Sequence, residues 1–168
     1  MKNKYWKAAM AGLIATVPMT LAMVALHRRL PPHERYPLPP VQITREIAKR
    51  VGVEHASRPH TLTGPPLLAH FAYGAAVGAL YAPLAQRLRL RAPAARAAAG
   101  AAYGVGVWVL SYLGWIPALR ILAPATRHPA RRNALMIFAH VVWGISLDTA
   151  LRSLRGSSAP PRPTADPM

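Results

Sequence analysis

Four apolar runs, each about long enough to cross a bilayer core, constrain this chain more than any other feature. They cover residues 8–26, 65–86, 94–116 and 134–151, and a helix needs roughly 17 to 25 apolar residues to traverse the hydrocarbon layer. Lipid offers the backbone no hydrogen-bond partners, so runs of this kind must be helices. The expected fold is all-α: a polytopic membrane protein, a four-transmembrane-helix bundle forming a single membrane domain over residues 1–155. Residues 156–168 hold too little apolar surface to bury and are expected to form a disordered tail.

Charge follows the same division. Lys and Arg number 21 against 5 acids, a net charge of +16, which in a soluble chain would point to nucleic acid. Here the cations sit in the gaps between the apolar runs, where they meet lipid headgroups. The expected partners are therefore the lipid bilayer and its anionic headgroups, with no nucleic acid. Cysteine is absent, which excludes disulfides, thiolate metal sites and cysteine nucleophiles. The excess of Arg over Lys and the abundance of Ala and Pro suggest a GC-rich bacterial genome. The first run is longer than a signal-peptide core and no Ala-x-Ala site follows it, so it is expected to remain as a span. Pro18 should bend that span, with Thr16 placed to satisfy a freed backbone group.

The connection from residue 27 to residue 64 opens with Pro31, Pro32, Pro37, Pro39 and Pro40. Over residues 41–52, Ile43, Ile47 and Val51 recur at helical spacing while Arg45, Glu46, Lys49 and Arg50 turn away, the pattern of an amphipathic helix that Pro40 can start. Two placements remain open: flat on the membrane surface, or packed over the loop ends of the bundle. Ten cations fall on the side of the amino terminus and eleven on the other. Short segments beside spans weigh most in the positive-inside rule, which favours cytoplasmic termini in a bacterial inner membrane. All seven histidines fall on the opposite side, and none are paired at metal-ligand spacing.

Small residues mark close helix approaches. Gly74 and Gly78 in the second run, and Gly100 and Gly104 in the third, stand four apart, and Gly144 adds another in the fourth; this spacing lets backbones meet in lipid.

Polar groups inside the runs are few. Residues 138–148 carry His140, Ser146 and Asp148, and residues 69–74 repeat the order Ala, His, two apolar residues, aromatic, Gly found at 139–144. The echo suggests two helical hairpins related by a parallel duplication. It also sets His70 and His140 at similar depth. Asp148 lies roughly 12 Å beyond His140 along a helix, so the two form no dyad and Ser146 completes no triad. Its natural partner is Arg152, one turn on. For the histidines the plain reading is interhelical hydrogen bonding that fixes packing.

Two sharper readings compete. His70 and His140 could ligate a haem b, with Gly74 and Gly144 leaving room for the porphyrin. Alternatively His70, His140 and Asp148, with Tyr73 and Tyr81, could line a polar route for a proton or small solute in a homo-oligomer. No nucleophile has a base within helical reach, so a non-enzymatic role is expected: structural, regulatory or stress-related.

Three stretches together resemble a family. They are Ala-Gly-Leu-Ile-Ala-Thr-Val-Pro-Met-Thr from Ala11, Tyr-Pro-Leu-Pro-Pro-Val-Gln-Ile-Thr from Tyr36, and Ala-His-x-x-Tyr-Gly from Ala69. The chain resembles the YagU-like bacterial inner-membrane proteins of unknown function and their small four-span relatives over most of residues 8–151. The resemblance implies an integral inner-membrane protein and carries over no catalytic residue.

Overall fold

A computed structural model describes residues 2–53 and 62–156. Apart from Gly156, the expected disordered tail lies outside the described residues. The chain is all-α, and among the described residues four helices are long and apolar enough to cross a membrane. These are α1 (Lys2–His27), α3 (Pro65–Leu88), α4 (Pro93–Val109) with its continuation, and α6 (Ala130–Gly156). The amphipathic helix α2 (Pro39–Arg50) lies in the first long connection, and α5 is a single turn at Ile116–Ala118.

Proline accounts for three of the helix starts, and a side-chain contact ties down a fourth. Helices α2, α3 and α4 each begin with proline in the first turn, where the missing N–H removes no needed bond. Helix α6 starts four residues before its apolar run. There the Asn133 side chain donates to the carbonyls of Ala125 and His128, tying the incoming loop to the first turn.

The third span does not run straight to Ile116. It leaves the α-helix at Val109, and at Leu110–Trp115 it widens into a π-type segment in which the Ile116 N–H reaches the Ser111 carbonyl five residues back. Pro117 supplies the physical reason, since it brings no N–H for the preceding turn and crowds the carbonyl four residues earlier. Gly114 carries the change of direction, with φ −107° and ψ −110°. In α1, Pro18 is held without a break, but Thr16 does not serve it. Its Oγ1 donates to the Gly12 carbonyl at 2.8 Å, because its side chain is turned towards α3.

Helices α1 and α6 pack side by side at the centre, α3 lies against α1, and α4 against α6. Glycine makes these approaches close. A Cβ on Gly12 would meet the Gly74 carbonyl at 2.3 Å, and one on Gly104 would meet the His140 carbonyl at 2.0 Å. The buried stripe of α1 is built from Ala8, Ala11, Ala15, Met19 and Met23, and that of α6 includes Ala139, Trp143, Leu147 and Leu151. Lys7 Nζ donates to the Leu154 carbonyl and Lys4 Nζ to Gln86 Oε1, so the starts of α1 and the ends of α3 and α6 share one face of the bundle. The two long connections meet at the other.

Candidate functional site

Helices α3 and α4 do not pack backbone to backbone. Tyrosines span the space between them: Tyr103 donates to the Val77 carbonyl at 2.8 Å, and the Tyr73 and Ser111 hydroxyls are 2.8 Å apart. Above the level of Tyr103 this wedge widens into a cavity of about 240 Å³. Its walls come from α3 through His70, Tyr73 and Val77, from the π-type segment through Ser111, Tyr112 and Trp115, and from α6 through Met136, His140 and Trp143. Thr16 and Met19 of α1 contribute to the lining, and Pro40, Ile43, Thr44 and Ile47 of α2 roof it.

Of the two placements its sequence left open, the amphipathic helix takes the one packed over the loop ends of the bundle. Ile43 and Ile47 face the cavity over the loop end of α3, while Val51 is exposed beyond the last turn. Arg50 pins the end of α2 by donating to the carbonyls of Leu119 and Arg120, and it also pairs with Glu46. The π-type segment turns Ser111 and Tyr112 towards the cavity, and the half-exposed Trp115 and Tyr73 rings lie 6.1 Å apart at its rim. Pro117, which breaks the α-helix just after them, is the one sequence signal of what Tyr112 and Trp115 build.

His70 and His140, set at similar depth by their sequence, both line the cavity. Among the described residues neither makes an interhelical hydrogen bond. His140 Nδ1 bonds to the Met136 carbonyl of its own helix at 2.7 Å, the same i to i−4 contact that Thr16 and Thr20 make. His70 Nε2 is buried with no hydrogen-bond partner, and its ring meets Phe71 edge-on. The haem reading relied on open space at Gly74 and Gly144. That space is filled: a Cβ on Gly74 would strike Thr16 Oγ1 at 2.1 Å, and one on Gly144 would strike the Gly100 carbonyl at 1.9 Å.

Asp148 belongs to a separate cluster. Arg152 grips it through Nε at 2.7 Å and Nη2 at 3.1 Å, and the buried Tyr81 hydroxyl donates to its Oδ1 at 3.0 Å. Both carboxylate oxygens are therefore satisfied near the face that carries the amino terminus. Tyr103, packed on both Tyr81 and Trp143, lies between this cluster and the cavity. The five residues of the supposed polar route fall into two groups: His70, His140 and Tyr73 in the cavity, Tyr81 and Asp148 outside it.

One anchor was missed in the sequence. Arg132 is buried in the first turn of α6, donates to the carbonyls of Glu34, Tyr36 and Pro37, and lies 3.5 Å from the centre of the Tyr36 ring. The Tyr36 hydroxyl in turn bonds His128 Nδ1 at 2.6 Å. An arginine two residues ahead of the fourth apolar run was a usable signal, because a buried guanidinium must find several acceptors. Among the described residues, no cluster of His, Asp and Glu could hold a metal ion.

Residues 28–149 match the family described as protein of unknown function (DUF1440). No curated protein and no solved structure matches the chain.

Proposed function

We propose, for this chain, which belongs to the DUF1440 family of proteins of unknown function, a binding and regulatory role rather than a catalytic one. It holds a small bilayer-borne molecule between its second and third spans, and that occupancy sets the position of α2 at the membrane surface. The observation that carries this reading is the cavity itself: an apolar, aromatic-walled space within the membrane-crossing region, containing a few convergent polar groups. Ligand sites have this composition. At about 240 Å³ it falls just below the usual range for ligand pockets, which suits a small ligand or part of a larger one. The half-exposed Tyr73 and Trp115 at the rim support a mouth that opens to lipid, through which the occupant arrives from the bilayer.

The setting we propose is a bacterial inner membrane, in keeping with the likeness to YagU-like proteins, with the face carrying the amino terminus in the cytoplasm. Single cysteines can be introduced on a cysteine-free background to read this. In intact cells an impermeant maleimide should label Ala123→Cys and spare Ala92→Cys; the reverse pattern would invert the orientation.

The binding role is tested by native mass spectrometry of the protein released from lipid nanodiscs. The wild type should retain a non-covalent small-molecule mass that Val77→Phe, which fills the cavity wall, does not. Identical spectra from both, with only lipid adducts, would remove the cavity from consideration as a binding site.

A further inference from the structure

The polar groups in the cavity define the chemistry of what fits it. Among the residues that line it there is no Lys, Arg, Asp or Glu. A carboxylate or phosphate head would be buried there without a counter-charge, which is costly. An uncharged head is left, and the two imidazoles specify it further. With no carboxylate in the lining to pair with a charged ring, both imidazoles are in their uncharged form. A carbonyl oxygen can only accept, so the bond to Met136 places the His140 proton on Nδ1. Nε2 then presents a bare lone pair on the edge of the ring away from its own helix. It calls for a donor. His70 Nε2, buried without a partner, supplies or accepts a proton according to its tautomer.

One group meets both needs. A hydroxyl donates to His140 Nε2 and accepts from His70 Nε2–H, whereas a ketone or ether oxygen can only accept and leaves His140 unanswered. Around the pair stand Tyr73, Tyr112, Trp115 and Trp143, walls that suit a flat ring. We propose that the cavity binds an uncharged, lipid-soluble phenol, its hydroxyl held between His140 and His70 and its ring against the aromatic walls. This rests on the binding role argued above and names the ligand class for that site.

The test is a titration of the protein in nanodiscs with para-octylphenol, its methyl ether and para-octylbenzoate, with ligand expressed as mole fraction in the lipid. Two of the four tryptophans line the cavity, so intrinsic fluorescence reports occupancy. The phenol should bind roughly tenfold more tightly than the ether, the expected effect of leaving one buried acceptor unpaired, and more tightly than the charged benzoate. His140→Leu should bring the phenol down to the affinity of the ether without weakening the ether, and His70→Leu should do so in part. Should a variant fail to fold, the wild-type comparison of phenol with ether still decides. Equal or tighter binding of the ether or the benzoate would overturn the phenol assignment while leaving the cavity as a binding site. No fluorescence response to any of the three would overturn both.

Discussion

At Gly104 an added methyl group would sit 2.0 Å from the carbonyl oxygen of His140, whereas at Gly106, two residues on, it would meet nothing within 4 Å. The pair separates contact from propensity. Gly104→Ala must push apart the backbones of α4 and α6 and should cost about 1–3 kcal/mol. Gly106→Ala removes only the entropy that glycine loses in a helix, and should be neutral or stabilising by up to about 1 kcal/mol. Unfolding in mixed detergent micelles measures both; equal effects would mean that α4 and α6 do not meet at Gly104. Sequence reading reached the glycines at this scale but not all their partners. Gly74 and Gly78 meet Gly12, whose neighbour four residues on is Thr16, so no pair of small glycines marks the α1 side. Asp148 was legible for a similar reason in reverse: Arg152 is one turn away on the same helix, a geometry sequence fixes, while Tyr81 reaches it from another span. The histidine contacts were misread because a local carbonyl, that of Met136, outcompetes a distant helix for His140.

The least regular element is the strap formed by the Pro-rich segment and α2, which buries Leu30, Leu38 and Val41 and is tied down by polar contacts as well. Arg132 holds the loop carbonyls of Glu34, Tyr36 and Pro37 at 2.9, 2.9 and 3.1 Å and lies over Tyr36. A planar guanidinium fork can satisfy several acceptors and stack at the same time, and a lysine cannot. Arg132→Ala and Arg132→Lys should therefore both loosen the strap, so that trypsin cuts at Arg28, Arg29 or Arg35 several-fold faster in micelles while the spans stay helical by circular dichroism. Unchanged cleavage in both variants would show that Ile43 and Ile47 hold α2 in place without Arg132. The helix itself was readable from Ile43, Ile47 and Val51, since helical periodicity is a local property. Its position over the cavity was not, because the same apolar stripe would serve against lipid. Likewise the apolar run of the third span concealed the π-type segment, as hydropathy is blind to which carbonyl an N–H selects.

Across the whole molecule, the sequence echo turns the cavity into an expected consequence of a broken repeat. Two pairs of spans use the same device: Gly12 and Thr16 of α1 pack on Gly74 of α3, and Gly100 and Gly104 of α4 pack on Gly144 of α6. Exact repetition would require two further equivalent interfaces, α1 against α6 and α4 against α3. The first is closed, with Ala11 and Ala15 fully buried and Trp143 Nε1 donating to the Gly12 carbonyl at 3.2 Å. The second is held apart. Counting three residues on from Gly12 gives Ala15, and three on from Gly100 gives Tyr103: where one half carries a methyl group, the other carries a phenol that reaches across to the Val77 carbonyl. The space beside that prop is the cavity. Tyr103→Ala should accordingly let α3 and α4 close, shortening the distance between spin labels at the lipid-facing positions Leu80 and Ala102. Ala15→Tyr, forced into a fully buried position, should cost about 3 kcal/mol or more through overpacking and lower the yield of folded protein. If the label distance is unchanged in Tyr103→Ala, the wedge is set by the loops and the π-type segment rather than by this one side chain, and the cavity would owe its existence to the connections instead of to divergence between the halves.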